Sequence, residues 1–217
     1  MTSYDVAIPS GEEILPGDLS VPQDAHGLVV FAHGSGSSRQ SPRNQYVAGM
    51  IQSTGLATLL FDLLTADEER MDLLTATHRF DIALLSTRLE DATTWILNDP
   101  DLKGLPLGYF GSSTGAAAAL VAAASIGPEV GAVVSRGGRP DLAGESLSRV
   151  TAPTLLIVGE HDTSVLKINE EVLRQLAGTR ELAIVPGATH LFDERGALGL
   201  VGRLASRWFV QHLGEAR

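Results

Sequence analysis

The segment LPLGYFGSSTG, residues 105–115, gives the clearest indication of the fold. Its first six residues form a short apolar run typical of a buried strand, with Pro106 near the start, where a missing N–H is tolerable. The sequence then reads Gly-x-Ser-x-Gly around Ser113 and continues into an Ala-rich run, 114–124, typical of a helix. A strand, a sharp turn with a central serine and a helix form a nucleophile elbow. We therefore predict that Ser113 is a nucleophile, the alternative being a helix N-cap.

The rest of the chain alternates short apolar runs with longer amphipathic ones. This pattern predicts an α/β fold with a mostly parallel central sheet and helices on both faces. The segment before residue 22 predicts one or two antiparallel edge strands, with Pro16-Gly17-Asp18 as the turn. The predicted parallel strands are 27–32, 56–61, 105–110, 130–134, 154–158 and 181–185, and the predicted helices are 42–54, 79–98, 114–124, 165–177 and 198–213.

Length and composition place limits on the function. The 217 residues predict one domain, 1–217, and the absence of a long insertion after Ser113 predicts no large lid. Cysteine is absent, which excludes disulfides and a thiol nucleophile. The net charge of −10 argues against nucleic acid as a partner.

Location and assembly are also addressed by the sequence. No apolar run reaches the roughly 20 residues that span a bilayer, and the N-terminus lacks the pattern of a signal peptide. We expect a cytoplasmic protein with no membrane partner. The sequence leaves open whether the chain forms a homodimer.

A serine hydroxyl needs a base, and three histidines follow Ser113. His190 lies in a Gly-containing loop just after the last predicted strand, where an imidazole can reach the elbow, so it is the predicted base. His212 falls in the terminal helix and is predicted to lie on the surface. His161 is predicted to be structural.

The predicted acid is Asp162, which follows the buried strand 154–158. A carboxylate there can accept the proton of one imidazole nitrogen and stabilise the imidazolium. Two competitors remain, namely Glu160 at the same strand end and Asp141 after the preceding strand.

The loop 33–38, His-Gly-Ser-Gly-Ser-Ser, follows the first parallel strand. A backbone N–H from such a loop and the N–H after the nucleophile form an oxyanion hole, here those of Ser35 and Thr114. The loop lacks Gly-Lys-Ser/Thr and G-x-G-x-x-G, which argues against a nucleotide site. His33 is predicted to brace the loop.

The loops that follow the parallel strands meet at the carboxyl edge of the predicted sheet, the active edge. Several residues near this edge are candidate substrate contacts. Leu63 and Leu64 begin a connector, 63–71, that either forms an acyl wall or is a solvated acidic loop. His33 and Leu191, beside the predicted oxyanion loop and base, are further candidates.

Arg136, at a strand end on the active edge, is the last candidate contact. Its guanidinium is suited to a substrate carboxylate. A salt bridge from Arg136 to Asp141 or Glu145 explains it equally well.

Four motifs together resemble the dienelactone hydrolase-like branch of the α/β hydrolases: His33-Gly34, the Ser113 elbow, Gly159-Glu-His-Asp162 and Gly187-Ala-Thr-His190-Leu-Phe. The resemblance covers residues 25–212 and implies the α/β-hydrolase fold and hydrolysis of esters or lactones without a metal or cofactor. Many dienelactone hydrolases carry a cysteine nucleophile, and the serine here resembles the small carboxylesterases instead. The expected substrate is a small-molecule ester. The alternatives are a thioesterase, amidase or perhydrolase with the same triad, or a non-catalytic binding protein on this fold.

Overall fold

The computed structural model describes residues 1–214, and one eight-stranded sheet runs through that part of the chain. The strands are β1 (Thr2–Ser10), β2 (Glu13–Val21), β3 (Leu28–Ala32), β4 (Ala57–Phe61), β5 (Leu107–Ser112), β6 (Val130–Arg136), β7 (Thr154–Gly159) and β8 (Arg180–Val185). Their order across the sheet is β1-β2-β4-β3-β5-β6-β7-β8. Strands β3 to β8 are parallel, whereas β2 runs antiparallel to β1 and β4. The predicted mostly parallel sheet is confirmed.

Helices cover both faces of the sheet, because its central strands are apolar on both sides. Every residue of β3, β4, β5 and β7 is buried, which explains their continuous apolar sequences. The helices are α1 (Pro42–Gln52), α2 (Ala66–Thr75), α3 (Ile82–Asn98), α4 (Thr114–Ile126), α5 (Thr163–Leu173) and α6 (Ala197–Leu213). One core lies between the sheet and α1 with α6, and the other lies between the sheet and α3, α4 and α5.

The short helix α2 was not predicted, since its segment was interpreted as a wall or an acidic connector. A capping box begins it: Thr65 accepts a hydrogen bond from the Glu68 N–H, and Glu68 accepts one from the Thr65 N–H at 2.8 Å. Arg88 of α3 then anchors the helix through a 2.7 Å bond from its Nη2 to Glu68. The Thr-x-x-Glu spacing was the sequence signal for this helix.

The N-terminal hairpin corrects one prediction. Its two strands are antiparallel at one side of the sheet, as expected, but they turn at Gly11, where φ is 59°. Pro16-Gly17-Asp18 lies inside β2, so its assignment as the turn was wrong. A Cβ on Gly17 would lie 3.0 Å from Val6 and 3.2 Å from Leu59, so this glycine permits close strand packing.

The parallel topology brings several loops to one edge. The carboxyl ends of β3, β5, β7 and β8 carry the loops that contain His33, Ser113, Asp162 and His190. None of the described helices is long and apolar enough to cross a membrane. Residues 215–217, the end of the predicted single domain, lie outside the described residues.

Candidate active site

Ser113 lies between β5 and α4 in strained backbone geometry. Its φ of 52° and ψ of −121° are rare for a residue with a side chain, at a cost of about 1–3 kcal/mol. Two backbone bonds hold it there: Ser113 N–H donates to the Arg136 carbonyl at 3.3 Å, and Arg139 N–H donates to the Ser113 carbonyl at 3.0 Å. The turn therefore has the geometry expected of an elbow.

The flanking glycines are required by close packing. A Cβ on Gly115 would overlap the carbonyl oxygen of Ala32 and lie 2.5 Å from that of His33. A Cβ on Gly111 would lie 2.6 Å from the Gly115 carbonyl oxygen. Gly111 and Gly115 thus leave room that a side chain at either position would need.

His190 and Asp162 are hydrogen-bonded to each other. The distance from His190 Nδ1 to Asp162 Oδ2 is 2.6 Å, with 41% of the His190 side chain and 11% of the Asp162 side chain exposed. A carboxylate oxygen accepts, so Nδ1–H of His190 is the donor in this bond. In the neutral ring, Nε2 then carries the lone pair and is left for a second partner.

The two competing acids are engaged elsewhere. Oε2 of Glu160 accepts a 2.7 Å bond from the Gly187 N–H. Asp141 binds the guanidinium of Arg139 through two bonds of 2.9 and 2.8 Å. Of the three predicted carboxylates, Asp162 is the one that bonds His190.

A residue that the sequence did not reveal braces the turn of His190. Glu194 Oε1 accepts bonds from Thr189, at 3.1 Å from its N–H and 2.5 Å from its hydroxyl. The Thr189 bonds lower the pKa of Glu194. Glu160 and Glu194 therefore both hold the backbone that leads into His190, at Gly187 and at Thr189.

The predicted oxyanion residues are brought together. Ser35 Oγ lies 3.0 Å from Thr114 Oγ1. The Thr114 N–H belongs to the first turn of α4, where amides have no acceptor within the helix. A Cβ on Gly34 would lie 2.9 Å from Ser113 Cβ, so the loop 33–38 lies directly against the serine.

His33 is a buried brace, 7% exposed, with both ring nitrogens engaged. Nδ1–H donates to the Gly34 carbonyl at 3.0 Å, and Nε2 accepts from the Leu63 N–H at 2.9 Å. These roles require the neutral ring, and burial lowers its pKa. His33 thus ties the oxyanion loop to the end of β4.

A crevice of about 450 Å³, including its solvent-open part, lies between the oxyanion loop and α2. Leu64 lines it, whereas Leu63 is fully buried in the core and does not. Leu191 is 42% exposed beside His190. The crevice is lined by His33, Gly34, Ser35, Gly36, Ser37, Ser38, Asp62, Leu64, Glu69, Asp72, Leu73, Arg79, Leu85 and Thr114.

Arg136 does not make either predicted salt bridge. Asp141 is bound by Arg139 instead. Arg136 is 8% exposed, and its guanidinium carbon lies 6.0 Å from the ring centroid of Phe192. Its assignment to Asp141 or Glu145 was therefore wrong. Within residues 1–214, no group of three or more His, Asp or Glu side chains is arranged to hold a metal.

Comparison with known proteins gives related sequences and structures. A dienelactone hydrolase from Anabaena variabilis has 56% identity and a TM-score of 0.96, covering 98% of both chains. An alpha/beta hydrolase from Penicillium has 15% identity and a TM-score of 0.77, covering 99% of this chain and 100% of its own. The α/β-hydrolase fold is thus confirmed.

Two Mycobacterium tuberculosis proteins, provisionally named phosphoribosyl transferases, are each 55% identical over 96% of this chain. The chain spans 46% of their length. The family model for dienelactone hydrolases matches residues 19–204. The chain therefore belongs to the dienelactone hydrolase family.

Proposed function

We propose that this chain is a serine hydrolase that cleaves carboxylic esters, lactones among them. The observation that carries the proposal is the 2.6 Å bond between His190 and Asp162 at the sheet edge that also holds the strained Ser113. Family membership and the 56% identical Anabaena dienelactone hydrolase support it. The chemistry is acyl transfer through a covalent intermediate.

In the first step, Ser113 Oγ attacks the ester carbonyl while His190 Nε2 takes the hydroxyl proton. Asp162 keeps the imidazole in the required tautomer and stabilises the imidazolium. The negative oxygen of the tetrahedral intermediate accepts bonds from the backbone N–H groups of Ser35 and Thr114. His190 then gives its proton to the leaving alcohol, which departs and leaves an acyl-serine.

In the second step, water replaces the alcohol. His190 takes a proton from the water, whose oxygen attacks the acyl carbonyl. The same two N–H groups hold the second oxyanion, and the proton returns to Ser113 as the carboxylic acid leaves. The crevice is narrow, and the described residues form no large lid over it. Both features favour small acyl groups.

Thioesters and anilides are alternative substrates because pocket shape selects the leaving group. The name phosphoribosyl transferase was given provisionally to whole Mycobacterium proteins. This chain spans 46% of their length. Acyl transfer is the chemistry that Ser113, His190 and Asp162 support, so we assign it and not phosphoribosyl transfer to this chain.

Hydrolysis of matched aryl esters, acyl thioesters and anilides tests the proposal. Wild type is expected to turn over the esters fastest, and Ser113→Ala to lose about 10⁵–10⁶-fold in kcat. The neighbouring Ser112→Ala, in the buried end of β5, serves as a control that keeps most of the rate. Equal rates for wild type and Ser113→Ala would refute the proposal.

A further inference from the structure

Arg136, the last residue of β6, is a buried cation at the active edge of the sheet. Its Nε and Nη1 have no acceptor among the described residues, and 8% of the residue is exposed. The carboxylate whose charge acts on Arg136 is Asp193, which lies 3.2 Å from Arg43, and the Asp141 predicted as its partner lies 2.8 Å from Arg139. An unpaired buried charge destabilises a fold, so Arg136 requires an explanation other than stability.

The side chain nevertheless stays charged at neutral pH. Burial lowers the pKa of Arg136 to about 10, the like charge of Arg43 acts in the same direction, and Asp193 opposes them. A pKa of about 10 leaves the guanidinium protonated under physiological conditions. Its positive charge is therefore available to the groups that pack against it.

The group beneath the guanidinium is the ring of Phe192. The guanidinium carbon lies 6.0 Å from the ring centroid, over its face, which is within the roughly 6 Å range of a cation–π contact. Phe192 follows His190 by two residues, is 1% exposed and has a φ of 59°. A non-glycine residue keeps this backbone conformation only where its neighbours hold it.

The end of β6 around Arg136 also contacts the turns that carry Ser113 and His190. A Cβ on Gly137 would lie 3.2 Å from the His190 carbonyl oxygen and 3.6 Å from its Cε1. Gly137 N–H is fixed at 2.8 Å from the Ile157 carbonyl. The Arg136 carbonyl accepts the N–H of Ser113. A displacement at this strand end would therefore reach the base and the nucleophile together.

We propose that Arg136 is a positioning residue for His190, because its guanidinium holds the ring of Phe192 and thereby the turn that carries the imidazole. The inference rests on the proposed hydrolase function. Arg136 touches neither the substrate nor the reacting atoms in this role. Its charge is retained at the expense of stability because it orients the base.

The test is Arg136→Met, which keeps the side-chain length and removes the charge. We expect Tm to equal or exceed that of wild type, since an apolar side chain replaces an unpaired charge. We expect kcat to fall about 100-fold and KM to change by less than about twofold. A displaced base stabilises the transition state less well but leaves substrate binding unchanged. Arg136→Lys restores part of the rate, since an ammonium also binds an aromatic face.

Two arginines serve as controls. Arg88, 3% exposed and paired with Glu68, is a matched buried arginine, and Arg88→Met lowers Tm because it leaves the carboxylate unpaired. Arg203 is exposed on α6 and makes no contact that the proposal uses, and Arg203→Met leaves kcat unchanged. A fall in Tm of Arg136→Met equal to that of Arg88→Met would indicate a structural role and overturn the proposal.

A second readout does not need turnover. The proton on Nδ1 of His190, bonded to Asp162, gives a far-downfield proton NMR signal that Arg136→Met is expected to broaden or lose. Phe192→Leu, which keeps the charge and removes the ring, is expected to do the same. A wild type that shows the signal but hydrolyses no ester would refute the proposed function and leave this inference intact.

Two further results would overturn the inference. One is an unchanged kcat and NMR signal in Arg136→Met. The other is a rise in KM confined to esters that carry a carboxylate, which would make Arg136 a substrate contact.

Discussion

Nδ1 of His190 lies 2.6 Å from Oδ2 of Asp162, while Glu160, two residues before that aspartate, binds the N–H of Gly187 at 2.7 Å. Two carboxylates from one strand end therefore serve one turn in different ways. Asp162 bonds the imidazole, and Glu160 bonds the backbone that carries it.

This division predicts unequal effects of two matched substitutions. Asp162→Asn is expected to lower kcat by about 10⁴-fold with the fold intact, because the amide favours the wrong imidazole tautomer. Glu160→Gln keeps an acceptor oxygen for Gly187 and is expected to cost less than about tenfold. Steady-state hydrolysis of an aryl acetate measures both, and the reverse order would make Glu160 the acid.

The His33 brace predicts a stability effect with a defined pH dependence. His33→Asn keeps a donor for the Gly34 carbonyl but leaves the Leu63 N–H without its acceptor, a loss of about 1–3 kcal/mol at neutral pH. Burial lowers the pKa of His33 below its ordinary 6.5, so the unfolded chain binds this proton more readily. The His33 contribution is therefore complete above pH 6.5 and is lost as pH falls through the lowered pKa.

Urea unfolding on both sides of pH 6.5 measures this effect. The free energy of unfolding of wild type should fall more steeply with acidification than that of His33→Asn. Parallel slopes for wild type and His33→Asn would show that His33 does not titrate as a buried neutral brace.

The close packing around Gly115 predicts that one added methyl group strongly lowers the free energy of unfolding. Gly115→Ala places a Cβ 2.5 Å from the His33 carbonyl oxygen and in overlap with that of Ala32. We expect a loss of at least about 3 kcal/mol in the free energy of unfolding, or no folded protein. At Gly49, within α1, a Cβ meets nothing within 4 Å, and Gly49→Ala should stabilise by about 0.5–1 kcal/mol. Similar free energies for both variants would contradict the packing.

The crevice predicts acyl-chain selectivity. Leu64 lines it beside the oxyanion loop, so Leu64→Ala should raise kcat/KM for hexanoate relative to acetate esters by about tenfold or more. Leu74, on α2, is 85% exposed and does not line the crevice, and Leu74→Ala should leave the ratio unchanged. A ratio that moves equally in both variants would place the acyl group elsewhere.

The sheet and the edge residues could be predicted because they follow from local sequence. Buried parallel strands are continuous apolar runs, and loops at their carboxyl ends meet at one edge whatever their separation in sequence. Ser113, Asp162 and His190 were predicted in this way, from Gly-containing turns after β5, β7 and β8, and their catalytic roles stay predictions.

The errors arose where long-range packing decides the structure. Gly17 resembles a turn residue but is required by contacts with Val6 and Leu59. Arg136 has nearby acidic residues in sequence, yet its partner is the ring of Phe192, 56 positions away. Glu194 is a different case, since its contact with Thr189 is only five residues away but follows no recognised motif.

Covalent labelling with a fluorophosphonate measures whether Ser113 is an activated nucleophile, on which the proposed acyl transfer depends. Intact-protein mass spectrometry should show one added phosphonyl group on wild type, located by peptide mapping to Ser113. Ser113→Ala should remain unlabelled, and His190→Ala should label far more slowly. Labelling of Ser113→Ala at the wild-type rate, or no labelling of folded wild type, would contradict the account.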